Sequence, residues 1–171
     1  MTIRFSEEVS GNFPFDPEKV GKEVILQALK TEGFPYEAEV DLTLTNDAMI
    51  HELNEQFRNI DRSTDVLSFP LIEYPAAGDF SRLEDDPDSF SPETGEAMLG
   101  DIVISVEHVH RQAEEYGHSL KREYAFLICH SMLHLMGFDH IEEEDRVKME
   151  EEQRKIMADL NILRSDEDPV E

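Results

Sequence analysis

Three histidines fall within residues 130–140, in the run HSMLHLMGFDH, and a single glycine stands between the second and the third. The surrounding residues Leu120, Phe126, Leu127, Ile128, Met132, Leu133 and Leu135 are apolar nearly all round a helix, so this segment has to cross the interior of the molecule. Polar rings in such a place need partners. His130 and His134 are four residues apart, about 40° around a helix and one turn along it, and both imidazoles therefore leave the same face. On a continued helix His140 would lie about 15 Å along the axis from His130, beyond the reach of an ion bonded at about 2 Å. The helix must stop, and Gly137 is where it can, because glycine takes the left-handed conformation that closes a helix and turns the chain back. His140 then completes a set of three neutral nitrogens with a fourth position left to water, the donor set of a catalytic zinc centre. Imidazole also suits nickel or iron.

The rest of the chain has to build a core around that helix. At 171 residues it is long enough for one domain and short for two. IRF near the start reads as a short strand, and DPEKVGKEVILQALKTEG as a helix capped by Asp16, with Pro17 in the first turn and Gly33 as its stop. EAEVDLTLT, residues 37–45, alternates as a strand with one buried face. Asn46 or Asp47 caps the next helix, on which Ile50, Leu53 and Phe57 recur at helical spacing and which should fray near Arg58. TDVLSFPL and LGDIVIS are β-rich runs. VEHVHRQAEEYG and the histidine-bearing segment are helices, and a last amphipathic helix after residue 141 should turn Val147, Ile156, Met157 and Leu160 inward.

Forty acidic residues against fifteen basic ones give a net charge of −25, a field that repels polyanions. Residues 73–96 hold eight acids and one base among Pro, Ser and Gly, and read as an exposed acidic surface loop; residues 161–171 read as an acidic disordered tail. The acidity extends beyond both, and adaptation to salt is one explanation. The lone cysteine, Cys129, excludes an internal disulfide and a Cys-rich zinc site, and its neighbours favour burial. The opening residues lack a basic start followed by an apolar run, and no stretch approaches the roughly 18 apolar residues that span a membrane. A soluble, cytoplasmic protein is expected. His51, His108, His110 and His118 read as ordinary polar residues.

The spacing HxxxHxxGxxH is shared with metzincin proteases, whose pattern places glutamate directly after the first histidine as general base. Here that position is Ser131, which cannot take up a proton near neutral pH. Peptidase activity is disfavoured, but a cation can still lower the pKa of water toward about 7. Three blocks, LNEQFRNIDRSTDVLSFP at 53–70, LGDIVIS at 99–105 and HSMLHLMGFDH at 130–140, together resemble the YbeY family of bacterial metal-dependent endoribonucleases linked to ribosomal RNA maturation. The likeness spans roughly residues 1–160, the expected single domain. Its relatives commonly carry glycine where Ser131 stands.

The resemblance implies an α+β fold, a small mixed four-stranded sheet with about five helices and the metal site at the end of a central helix. It implies one zinc ion, or another divalent transition metal, on His130, His134 and His140, and makes Arg58 and His130 the expected catalytic residues. Arg58 suits a phosphodiester, since a guanidinium offers paired donors to phosphate oxygens and stays charged. Ser131 is read either as a partner of water beside the metal or as a tolerated helix position, and Asp139 either as orienting a histidine or as holding a turn. The implied activity is single-strand-specific cleavage in ribosomal RNA processing, at the 16S rRNA 3′ end, and in ribosome quality control. The implied partners are ribosomal RNA, the small ribosomal subunit, and ribosomal proteins or assembly factors. Arg4, Arg58, Arg62, Lys121 and Arg122 are candidates for a basic rim that would offset the acidity. Two other readings remain: a metallopeptidase without its usual base, and a ribosome-assembly binding module in which a structural metal pins helix to loop.

Overall fold

The structure, a computed structural model, describes residues 1–162. Strand β1 (Thr2–Glu7) leads to helix α1 (Pro17–Thr31), where Asp16 accepts hydrogen bonds from the free amides of Glu18 and Lys19. Strand β2 (Ala38–Thr45) alternates buried and half-buried side chains, as its sequence requires. Helix α2 (Asp47–Arg58) is capped by Asn46 and stops at Arg58, because Asn59 takes a left-handed conformation with φ 58°. Strands β3 (Val66–Pro70) and β4 (Ala97–Ser105) precede helices α3 (Val106–Tyr116), α4 (Leu120–Leu135) and α5 (Glu143–Asp159).

The four strands form one mixed sheet in the order β1-β2-β4-β3, in which β3 alone is antiparallel and forms an edge. Leu42 and Leu44 pair with Ile102 and Ile104 on one face, α1 and α4 cover them, and α5 packs on those two helices to complete the main core. On the other face Leu67 and Val103 pack against Ile50 of α2 in a second, smaller cluster. The fold is thus the α+β arrangement expected, with the mixed sheet and five helices. Where β4 bulges against β2, Gly100 has φ 139° and lies against the carbonyl of Phe69, so a side chain there would collide with β3.

Four expectations are corrected. The acidic segment 73–96 is not wholly at the surface: Leu83 and Ser89 are buried, and Tyr74, Phe80 and Phe90 pack on the main core. Apolar side chains spaced among the acids anchor it while Glu84, Asp85 and Asp86 face water. After residue 141, Ile156 and Met157 are buried and Leu160 packs on the core as expected, but Val147 is exposed, and Met149 and Gln153 complete the inward stripe of α5. Phe57 is also exposed, resting edge-on against Phe69 at 5.4 Å between centroids. Of the tail expected from residue 161, Asn161 and Ile162 are described and Ile162 joins the core; residues 163–171 lie outside the described residues. Among the described residues no helix is long and apolar enough to cross a membrane.

Candidate metal centre

Helix α4 ends in the pattern that Gly137 makes possible. With φ 94° at Gly137, its amide donates to the His134 carbonyl at 3.1 Å and the Phe138 amide to that of Leu133 at 2.9 Å. Two further carbonyls at this helix end are satisfied from the acidic segment, Leu135 by the Tyr74 hydroxyl at 3.0 Å and Met136 by the Gly78 amide at 3.1 Å. The Asp139 carboxylate accepts from the amides of His140 and Ile141 and shapes the next turn. His140 is carried back beside the helix, and the three imidazole centroids stand 4.7, 5.4 and 5.2 Å apart.

One donor atom from each ring lies within 4.8 Å of the others. Nε2 of His130 and Nε2 of His134 are 3.1 Å apart, close to the separation of about 3.3 Å between nitrogens at 2.0–2.1 Å from a tetrahedral zinc. Nδ1 of His134 donates to the Phe138 carbonyl at 3.0 Å, which leaves Nε2 as its lone-pair nitrogen. Burial, then the neighbouring His134 and His140, lowers His130 to a pKa of about 4 against an opposing pull from Asp65. Burial lowers His134 as well, the Phe138 carbonyl resisting and the charges of His140 and Arg58 assisting. Neutral imidazoles are what a metal requires, so these residues fit a divalent cation.

The rings open on a cleft of about 520 Å³ bounded by the end of α2, by β3, by α4 and by the turn after it. Arg58, Asp65, Ser68, Phe126, Asp139 and Ile141 are among its lining residues. Arg58 and the three histidines, 72 or more positions apart in the chain, therefore share one space. Ser131 is fully buried, and its hydroxyl lies 2.6 Å from that of Ser68, tying α4 to β3. The proposed basic rim does not assemble whole: Arg4 is on β1, at the opposite edge of the sheet from β3, and pairs with Asp41 at 3.3 Å. Arg122 does approach, lying 5.6 Å over the ring of Phe126.

The other histidines have local partners. His108 and Ser105 both lie 2.6 Å from Asp47, His110 faces the Gly11 carbonyl at 2.6 Å, and His51 faces Asp61 at 2.6 Å in an exposed group with Glu55. Cys129 is buried, which pushes its thiol up to about 12. Sequence reasoning read Phe126 only as core, and passed over Ser68 and Gln153, whose amide lies 2.6 Å from Nδ1 of His130. Gln153 left one trace, a polar residue on an otherwise apolar helical stripe.

Comparison with known proteins identifies the family. The family model described as Endoribonuclease YbeY matches residues 6–161. The chain is 57% identical over 165 residues to the Endoribonuclease YbeY of Agathobacter rectalis, covering 96% of this chain and 100% of that protein. To that of Lachnoclostridium phytofermentans it is 51% identical with the same coverage. A solution structure from Thermotoga maritima shares the fold, with a TM-score of 0.57 and 24% identity over 99% of each chain.

Proposed function

Because the chain belongs to the Endoribonuclease YbeY family, we propose that it is a metal-dependent endoribonuclease acting on single-stranded regions of ribosomal RNA. On this reading it serves maturation of the 16S rRNA 3′ end and ribosome quality control in the cytoplasm, through one catalytic domain over residues 1–160. The observation that carries the reading is the convergence of three imidazoles and one guanidinium on a single open cleft.

His130, His134 and His140 would hold one divalent cation, zinc by default, which supplies Lewis acidity toward a phosphodiester and toward water. His130 and His134 enter from a rigid core helix, and His140 from a turn whose backbone is bonded to it, so the donors are placed before any ion arrives. Arg58 ends α2 and lines the cleft, where its paired N–H donors would meet phosphate oxygens and balance the charge that develops on them. Phe126, with Arg122 over its ring, offers an apolar wall for a base or ribose. In a protein of net charge −25, attraction to RNA has to be this local, and a ribosomal protein or assembly factor on the small subunit would bring the substrate within reach.

The peptidase reading lacks its base, since the residue after His130 is Ser131, buried and bonded to Ser68. The structural-metal reading calls for four protein donors, and among the described residues the group has three. The test is cleavage of ribosomal RNA precursors by zinc-loaded protein beside His134→Ala and Arg58→Glu. Arg58→Glu should lose at least about 100-fold in rate with its fold intact, and His134→Ala should lose bound metal and cleavage together. Undiminished cleavage in both variants would reject the assignment.

A further inference from the structure

Gln153 is only 6% exposed and sits in the inward stripe of α5, where a hydrophobic side chain would pack without penalty. Its carboxamide is 2.6 Å from Nδ1 of His130, whose Nε2 is 3.1 Å from Nε2 of His134, whose Nδ1 is in turn 3.0 Å from the Phe138 carbonyl. A carbonyl can only accept, so the proton of His134 stays on Nδ1. Nothing comparable constrains His130, because an amide has a donating end and an accepting end.

Each end imposes a different site. With the Gln153 NH2 toward Nδ1, the His130 proton is on Nε2 and donates to His134 Nε2. An unbroken hydrogen-bond chain then runs from Gln153 to Phe138, and both Nε2 lone pairs are lost to a cation. With the Gln153 oxygen toward Nδ1, the His130 proton is on Nδ1, and both Nε2 lone pairs open on the cleft. The two settings differ by a half-turn of the amide and by one proton exchanged with solvent from one ring nitrogen to the other; no charge changes.

We propose that Gln153 is a positioning residue whose amide orientation selects the tautomer of His130 and thereby sets the affinity of the three histidines for a divalent cation. The inference rests on the metal reading above and adds to it a switchable partner for the first ligand. A carboxylate at this position could only accept, and would hold the ligating tautomer permanently. Glutamine keeps both settings open, which weakens uptake and makes it reversible.

The experiment uses the full chain labelled with 15N, zinc titrated against a competing chelator, and long-range proton–nitrogen correlation of the His130 ring. Wild-type His130 should carry its proton on Nδ1 once zinc is added. Gln153→Glu, nearly isosteric, should show that tautomer before zinc is added and bind zinc about 10-fold or more tightly. Gln153→Leu should bind about 10- to 100-fold more weakly. A merely structural role would shift the melting temperature and leave the ring-nitrogen pattern unchanged. If Gln153→Leu does not fold, Gln153→Glu decides alone. Wild-type protein that takes up no zinc would defeat the metal reading itself. Wild-type protein that binds zinc through the three rings, with Gln153→Glu unaltered in tautomer and within about two-fold in affinity, would defeat this inference only.

Discussion

Gly137 concentrates the geometry of the site in one backbone angle. Its φ of 94° is one that L-residues rarely adopt, and an added Cβ would come within 2.9 Å of Cδ2 of Tyr74, the residue that holds the helix end. Gly137→Ala should therefore destabilise the protein by about 1–3 kcal/mol in urea unfolding. It should also weaken zinc binding, because relief of either strain moves His140 away from the helix. Tight zinc binding and unchanged stability in that variant would show that the turn does not set the third ring. This residue was legible from sequence since its effect is local: four positions along one helix and a stop three residues later are spacings that a string of letters preserves. The roles of Ser131 and Gln153 were not, because each depends on a partner that only the fold brings near, Ser68 at 63 positions and His130 at 23.

Between elements, α1 and α5 meet along a seam that includes two acids. Burial first, then the adjacent Glu152 carboxylate, pushes Glu32 up to about 7, with Lys155 and Lys148 opposing. Since the folded value lies above the unfolded one of 4.5, the proton on Glu32 stabilises the seam fully below that value, and the contribution is lost as pH rises through about 7. Glu32→Gln should accordingly gain stability at pH 8, about 1 kcal/mol once solvent screening of this half-buried group is allowed for, and little at pH 4, read by chemical denaturation at both values. An equal effect at the two pH values would rule out a shared proton. Periodicity located both helices but misjudged which α5 residues face inward: Val147 is exposed and Gln153 is buried, because the inward face of a highly charged helix is settled by what it packs on. The acidic segment shows the same limit, its composition announcing solvent while Leu83 and Phe80 fasten it to the core.

At the scale of the molecule, a net charge of −25 is spread over sheet and helices alike, down to the directly paired Asp41 and Asp101 on neighbouring strands, where burial and the Asp41 charge hold Asp101 above its usual range. Screening should relieve this repulsion, so the melting temperature should climb between about 0.05 M and about 0.5 M KCl. A flat response would mean that repulsion among the acidic groups contributes little to stability. Architecture was the most legible level: alternating and helical patterns, with their caps, pointed to four strands and five helices because each signal agrees with its neighbours, while the mixed sheet was implied by the family resemblance. The meeting of Arg58 with the histidines was not visible in those patterns, for it depends on how α2 and α4 approach β3. One difference between these partners has a thermodynamic consequence. All three rings belong to eleven consecutive residues, whereas Arg58 is remote, so a denatured chain retains much of its capacity to chelate but none of its grip on a phosphate. Zinc should then raise the unfolding free energy by less than its affinity for the native state would suggest, because both ends of the folding equilibrium compete for it.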